Sequence, residues 1–211
     1  MYLPKHFSVN DSDAIKALMR EHPLAMLVTH TARGLDANHL PLELREDASG
    51  RLSLAGHVAR ANPVWQQLAD GQQVMAVFRA EQAYVSPNWY PSKQATHRQV
   101  PTWNYRVVHA HGRVHVRDNA RFVLGVVGRL TKTHEQSVNP DTPWKMADAP
   151  ADYLQQMLAA IVGIEIEITG LEAKFKLSQN KLQDDRLSAA DALQAMGEHG
   201  LAQKMRMSPK A

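Results

Sequence analysis

The alternation of apolar and polar residues predicts most of the strands in this chain. The clearest run covers residues 105–117, where Val108 and Ala110 share one face and His109 and His111 share the other. Successive side chains of a strand point to opposite faces, so one face of this strand is apolar and the other is basic. The same pattern predicts strands at residues 24–31, 37–45, 51–57, 74–78, 83–85, 161–169 and 172–177, with the last two paired across Gly170.

Apolar residues at helical spacing, together with capping and stopping residues, predict the helices. The stretch 10–22 has one apolar stripe and ends at Pro23, and Asp118 is expected to cap a helix over 118–134. In the last helix, Leu193 and Met196 are expected to make the main apolar contacts. The remaining predicted helices cover residues 58–70 and 152–160, and the last covers 188–207.

Short strands joined by tight turns, with helices at the ends, are typical of an antiparallel barrel of the α+β class. The proline inside 37–45 indicates an edge strand or a bulge, because proline cannot donate to a strand ladder. A chain of 211 residues fits one domain, with or without a helical appendage. We expect a barrel domain over residues 1–186 and a helical tail over 187–211.

Composition excludes several classes of protein. The chain has no cysteine, so disulfide frameworks and thiolate metal sites are excluded. No run approaches the ~20 apolar residues of a membrane span, and the first residues lack the apolar core of an export signal. We therefore expect a cytoplasmic protein without a membrane partner. The net charge of +3 is too mild to indicate a nucleic-acid surface.

Aromatic residues are concentrated between positions 84 and 105. This stretch holds Trp89 and Trp103 together with Tyr84, Tyr90 and Tyr105, and it lies between two predicted strands. A long connection of this kind is usually functional. Flat apolar rings with nearby amides and cations suit a planar, anionic ligand. The alternative is a surface flap that only packs its tryptophans.

The sequence GHVARANP, residues 56–63, predicts an anion site at a strand-to-helix turn. Backbone amides at the start of a helix attract anions, and the guanidinium of Arg60 suits a phosphate. His57 and Asn62 add further donors. The alternative is a plain turn with a solvated arginine.

Three further segments carry polar groups beside the aromatic rings. In SPNWYPSK, Ser92 and Lys93 supply a hydroxyl and an ammonium group; in VPTWNY, Thr102 and Asn104 can bind the polar edge of a ring. FKLSQNK places Lys181 and its neighbours at the end of the last strand. The alternative for SPNWYPSK is a solvent-facing turn. For VPTWNY it is a loop anchored by a buried tryptophan, and for FKLSQNK it is a polar strand end.

The basic face of residues 109–115 allows a metal site only weakly. His109, His111 and His115 point the same way, as metal ligands would, but Arg113 on the same face repels a cation. We therefore expect a hydrated barrel face and no metal. The sequence also lacks a phosphate-binding P-loop, a dinucleotide fingerprint and a helix-turn-helix pattern.

Taken in order and at this spacing, NHLPLEL, GHVARANPVW, SPNWYPSK, VPTWNY, VHAHGRV and KFKLSQNK resemble the PaiB family of FMN-binding negative transcriptional regulators. The resemblance runs from the N-terminus to about Arg186. It implies a split antiparallel β-barrel of the FMN-binding type with flanking helices, related to pyridoxamine 5′-phosphate oxidase. It also implies a homodimer with FMN at the subunit interface.

The resemblance gives each motif a role toward FMN. Arg60 and Asn62 fall where related oxidases hold the phosphate, with His57 nearby, and Lys181 approaches from the final strand. The backbone of residues 38–41 lines the edge of the ring system, and the two aromatic motifs close over it. The cofactor-binding residues so implied are Asn38, His39, Leu40, Pro41, His57, Arg60, Asn62, Trp89, Ser92, Lys93, Thr102, Trp103, Asn104 and Lys181.

Three functions remain open at this point. The first is a dimeric FMN-binding repressor of the PaiB type, for which DNA binding rests on family analogy alone. The second is an FMN-dependent oxidoreductase, in which His57 or His39 donates a proton and the protein orients the substrate. The third is a barrel that binds or degrades haem, with histidine as the axial ligand.

Overall fold

The computed structural model describes residues 1–208. Within these residues the chain forms seven strands and seven α-helices. The strands are β1 (Leu24–Thr31), β2 (Gly34–Pro41), β3 (Glu43–Glu46), β4 (Leu52–Ala59), β5 (Gln72–Val85), β6 (Thr102–Arg117) and β7 (Ile161–Lys176). The helices are α1 (Ser12–Glu21), α2 (Val64–Gln67), α3 (Pro91–Thr96), α4 (Ala120–Val138), α5 (Ala151–Ala159), α6 (Gln183–Ala195) and α7 (His199–Met207).

The strands are hydrogen-bonded in the order β2-β1-β5-β6-β7-β4-β3. β1 and β2 form a hairpin in which Leu24 pairs with Pro41 and Thr31 with Gly34. Gly34 has a φ of 105°, which only glycine adopts without strain, and so it closes the turn. β4 and β7 are also antiparallel. The α+β class with an antiparallel sheet, predicted from the alternation, is confirmed.

The chain divides into two compact units. Of the described residues, the first comprises 1–18, 79–109 and 172–208, and the second comprises 19–78 and 110–171. Each of the three long strands, β5, β6 and β7, contributes one part of its length to each unit.

In the second unit, α4 packs on the sheet. Val126 and Leu130 are buried against Ala55 of β4, and Phe122 packs at the edge of this cluster. A Cβ atom on Gly163 would lie 2.5 Å from the ring of Phe122, so a residue without a side chain is needed where α4 crosses β7. The apolar stripe predicted for this helix is therefore the face that the sheet buries.

In the first unit, α6 and α7 supply most of a separate core. The cluster is built around Tyr90, with Trp89 and Phe175 packed against it. Its buried members are Ala83, Val85, Tyr90, Leu177, Ala189, Ala190, Leu193, Leu201, Ala202 and Met205. Leu193 is buried as predicted, but Met196 is 67% exposed, so its predicted apolar contact is wrong. The domain boundary at residue 186 stays a prediction.

Two predicted strands have different bounds in the structure. The run predicted over residues 37–45 is two strands, because the chain leaves the ladder at Leu42, which is buried and donates its backbone N–H to Pro23 O. The predicted strands over 74–78 and 83–85 are one strand. The polar residues between them stay in the ladder, since Glu81 binds Arg106 at 2.8 Å.

The turn predicted at Gly170 is also wrong, because β7 runs straight through it. The helix predicted over residues 58–70 is reduced to α2, since β4 continues to Ala59 and a turn follows. The cap of α4 is Asn119, whose side chain accepts from Phe122 N, and not Asp118, whose carboxylate binds Arg60.

Among residues 1–208, no helix is long and apolar enough to cross a membrane.

Candidate functional site

In the second unit, two of the predicted motifs meet through their asparagines. Asn38 lies on β2, and its Oδ1 accepts a hydrogen bond of 2.8 Å from Nδ2 of Asn62. The Oδ1 of Asn62 in turn accepts from the backbone N–H of Val64 at 3.0 Å, which fixes the start of α2. Of the neighbouring predicted residues, Leu40 is buried, His39 is exposed and Pro41 is half-buried.

Arg60 is held by a carboxylate 58 residues away in sequence. Its Nη1 and Nη2 donate to Asp118 at 2.9 and 2.6 Å, and its Nε donates to Ala159 O at 2.8 Å. The hydrogen-bonded Asp118 raises the pKa of Arg60, and Arg60 lowers the pKa of Asp118. The charge of this guanidinium is thus neutralised within the chain, and its role toward a phosphate stays a prediction.

His57 lies on β4 opposite Gly163 and is half-buried. Its Nδ1 is buried and has no hydrogen-bond partner among residues 1–208. Burial lowers the pKa of His57, because the charged ring loses its hydration. The ring is therefore neutral near pH 7, and its unpaired Nδ1 is turned away from solvent.

Acidification is expected to destabilise the protein through His57. The unfolded chain takes up a proton near pH 6.5, whereas the folded state resists it. The contribution of His57 to stability is therefore complete above that pH and is lost as the pH falls toward the lowered folded-state pKa, by at most about 1.4 kcal/mol per pH unit. Thermal unfolding followed from about pH 5 to 8 should show a flatter profile for His57→Gln; parallel profiles for the two proteins would contradict this account.

In the first unit, the SPNWYPSK motif forms two short helical turns after β5. Ser86 accepts from Asn88 N at 3.2 Å and caps a 3-10 turn, Pro87–Trp89; α3 follows after Tyr90. Lys93 donates from Nζ to Asn88 Oδ1 at 2.7 Å, which ties the two turns together. The segment predicted as a loop is therefore an ordered structure.

The VPTWNY motif begins strand β6. Trp103 is 55% exposed and meets Tyr84 edge to face, with ring centroids 6.1 Å apart. Asn104 is fully buried and donates from Nδ2 to Ser178 Oγ at 2.9 Å. Its Oδ1 has no partner within the described residues. Alternation along β6 thus turns Trp103 outward and Asn104 into the core.

Three lysines form a basic cluster, which we call the lysine cluster: Lys174, Lys176 and Lys181. Each ammonium group donates to a neutral oxygen: Lys174 to Tyr2 O at 3.1 Å, Lys181 to Gln99 Oε1 at 2.7 Å, and Lys176 to Thr102 Oγ1. Burial lowers the pKa of Lys176, and the positive charges of Lys174 and Lys181 lower it further. An anion in this cluster would relieve that repulsion.

Lys174 and Lys176 share one face of the sheet with Tyr105 and Trp103. Lys174 Nζ lies 5.6 Å from the ring centroid of Tyr105, which is two residues from Trp103 and so on the same face of β6. Lys176 is two residues from Lys174 and shares its face of β7. The first unit therefore places flat rings beside lysines whose hydrogen bonds go to neutral oxygens, a donor set that fits a planar anion such as FMN.

The structure adds Lys174 and Lys176 beside Lys181, whose role as a cofactor contact stays a prediction. The signal was the alternation in KFK, which places both lysines on one face of the strand.

Comparison with known proteins assigns the family. Residues 1–170 match the family model described as "Putative FMN-binding domain". The chain belongs to this family. The match covers most of the described chain, and it confirms the resemblance drawn from the motifs and the cofactor expected from it, FMN.

Two relatives extend the similarity along most of the sequence. The protease synthase and sporulation protein PAI 2 of Bacillus subtilis is 29% identical over 194 residues, covering 92% of this chain and 89% of that protein. An uncharacterized protein of Saccharomyces cerevisiae is 30% identical over 155 residues, covering 64% of this chain and 91% of that protein.

Solved structures with low sequence identity share the fold. The FAD and haem binding protein of Mycobacterium smegmatis gives a TM-score of 0.61 at 17% identity, covering 86% of this chain and 79% of that one. The flavocytochrome Anf3 of Azotobacter vinelandii gives 0.56 at 13% identity, covering 80% and 69%. The split-barrel fold of the FMN-binding type, expected from the resemblance, is thus confirmed.

Proposed function

We propose that this protein is a homodimeric FMN-binding negative regulator of transcription of the PaiB type. The similarity to the Bacillus protein along 92% of the chain supports the regulatory part of the proposal. The family assignment supports the flavin part. Bound FMN would supply a redox-active ring system, whose oxidation state a regulator can sense.

The observation that carries the flavin site is the common face that the aromatic rings share with Lys174 and Lys176. Trp103 and Tyr84 offer flat surface for the ring system, and the ammonium groups of Lys174 and Lys176 offer charge for the phosphate. Arg60 is a weaker candidate for the phosphate than Lys176, because Asp118 already neutralises its charge. Asn38, His39, Leu40, Pro41, His57, Arg60 and Asn62 stay predicted contacts from the resemblance.

The exposed aromatic surface supports the homodimer. Trp103 is 55% and Tyr84 is 47% exposed in the single chain. Exposed aromatic surface of this kind marks a binding or subunit interface. A second copy covering these rings would place FMN between subunits, with residues supplied by both.

The regulatory role is tested by binding to DNA. The holo-protein should retard a promoter fragment from its own gene neighbourhood in a gel, and excess unlabelled random DNA should leave the retarded band in place. The band should change in strength when FMN is removed. Retardation that random DNA abolishes would show only electrostatic binding and would contradict specific repression.

A second candidate, an FMN-dependent oxidoreductase, is favoured by His57. A neutral histidine can accept a proton near neutral pH, and Nδ1 of His57 has no hydrogen-bond partner among residues 1–208. Mixing the holo-protein with NADH or NADPH under air tests this function. Nicotinamide oxidation faster than with free FMN, and slowed in His57→Gln, would favour the enzyme; a rate equal to that of free FMN would count against it.

A further inference from the structure

The chain beyond residue 170, outside the span that matches the family, completes the first unit. Most of the buried members of its core come from α6 and α7, together with Leu177 just after β7. Tyr90, in the middle of the SPNWYPSK motif, is 1% exposed within that core. The aromatic motif therefore depends on residues 177–205 for its position.

A polar contact strengthens this dependence. The carboxylate of Asp185, on the first turn of α6, is 1% exposed. It accepts from Ser92 N at 2.9 Å, from Ser92 Oγ at 2.6 Å and from Gln99 Nε2 at 3.4 Å. Gln99 also donates to Ser92 Oγ at 2.8 Å and accepts from Lys181 Nζ at 2.7 Å. We call these four residues the Asp185 clamp.

The clamp joins both ends of one segment to one carboxylate. Ser92 is the second residue of α3, and Gln99 follows the helix after His97, which has a left-handed φ of 53°. A buried carboxylate is costly unless donors satisfy it, and here the donors come from the segment at 92–99. Moving that segment away would leave Asp185 buried and unpaired, so the two are coupled.

Lys181 connects the clamp to the lysine cluster. Its ammonium group lies 5.2 Å from the ring centroid of Tyr90 while it donates to Gln99. A change at Asp185 would therefore reach a cation of the lysine cluster. The hydroxyl of Ser92, which stays a predicted cofactor contact, donates to Asp185 within the clamp.

We propose that Asp185 is a positioning residue, which holds the segment from Pro87 to Gln99 in the conformation that binds FMN. It acts through Ser92 and Gln99 and does not touch the cofactor. The inference rests on the proposed flavin site for its effect on FMN, but the clamp itself stands on the contacts given above.

Asp185→Asn tests this proposal, with Asp184→Asn as the matched control, because Asp184 is an exposed neighbour on the same turn. Asparagine cannot accept from Ser92 and Gln99 as a carboxylate does. We expect FMN to bind about tenfold more weakly to Asp185→Asn. At saturating FMN, the visible circular dichroism of the flavin should also change, which a loss of stability alone would not produce. Asp184→Asn should match the unchanged protein in FMN affinity and in the dichroism of the bound flavin.

Limited trypsin digestion separates the clamp from the flavin site. Cleavage after Lys93 and Arg98 should accelerate in Asp185→Asn without FMN, and saturating FMN should restore protection. Faster cleavage with unchanged FMN affinity and unchanged dichroism would overturn the positioning role. If the unchanged protein binds no FMN but trypsin still cleaves Asp185→Asn faster, the result contradicts the proposed function and leaves the clamp intact.

Ser92→Ala keeps the proposal testable if Asp185→Asn fails to fold, because it removes one donor and leaves the backbone N–H of residue 92 on Asp185. Ser92→Ala should show smaller changes of the same kind in FMN affinity, flavin dichroism and trypsin cleavage. Where both variants fold, the double variant should bind FMN no more weakly than Asp185→Asn alone, since the two residues act as one unit. Additive losses would contradict the clamp.

Discussion

Lys176→Met is expected to weaken FMN binding by about 10- to 100-fold. Hydrogen bonds to charged groups contribute roughly 1.5–3 kcal/mol each, and methionine keeps the length of the side chain without its charge. Lys176 lies beside Lys174 and Lys181, so its removal also relieves repulsion in the free protein. We therefore expect the free variant to be as stable as the unchanged protein or more stable. Fluorescence quenching of added FMN and thermal unfolding measure the two effects.

Riboflavin, which lacks the phosphate, is the control ligand for this variant. The unchanged protein should prefer FMN to riboflavin, and Lys176→Met should lose most of that preference while it binds riboflavin normally. Lys132→Met, at an exposed lysine on α4, should leave both affinities unchanged. An equal loss for FMN and riboflavin would show that Lys176 does not hold the phosphate.

Gly112→Ala is expected to destabilise the fold by about 3 kcal/mol, the upper end of the usual cost of overpacking. A Cβ atom at Gly112 would lie 2.5 Å from Glu167 O and 2.5 Å from Ile166 Cγ2 on the neighbouring strand. A backbone oxygen cannot move aside as a side chain can, so β6 and β7 would have to separate. For a chain of this size the midpoint of thermal unfolding should fall by roughly 10 °C.

Gly170→Ala provides the matched control on β7. Nothing lies within 4 Å of a Cβ atom at Gly170, and its φ is not in the left-handed region. Alanine there should be neutral or slightly stabilising, because it restricts the unfolded chain. If the two variants unfolded at the same temperature, the close approach of β6 and β7 at Gly112 would be wrong.

Local patterns were sufficient for elements whose ends carry their own signals. β1 has the bounds predicted from its sequence, since it starts after Pro23 and ends at the turn before Gly34. α1 likewise ends within a residue of the predicted stop. In each case the alternation, or the helical spacing, and the terminating residue agree.

Elements that depend on distant partners were predicted less well. The polar residues between Phe78 and Ala83 suggest a break, but Glu81 stays in β5 because Arg106, 25 residues later, binds it. Asp118 is of a residue type that often caps helices, yet its carboxylate accepts hydrogen bonds from Arg60. Sequence spacing does not show such pairs, because the fold brings them together.

The same limit applies to the candidate site. Trp103, Asn104 and Lys181 were named as cofactor contacts from residue type and motif, and they stay predictions. Asp185 was not, because a charged residue near a helix start is usually solvated, and only the fold shows that it is buried under Ser92. The ion pair between Arg60 and Asp118 could not be predicted from the sequence for the same reason.

The most direct measurement of the central claim is a titration of FMN into the purified protein, followed by absorbance and by native mass spectrometry. The proposal predicts a yellow complex of two subunits that holds one FMN per subunit. Exposed Trp103 should also be quenched, and Trp103→Phe should reduce that quenching. A colourless protein that takes up no FMN at any practical concentration, or a monomer that binds FMN fully, would contradict the proposed site.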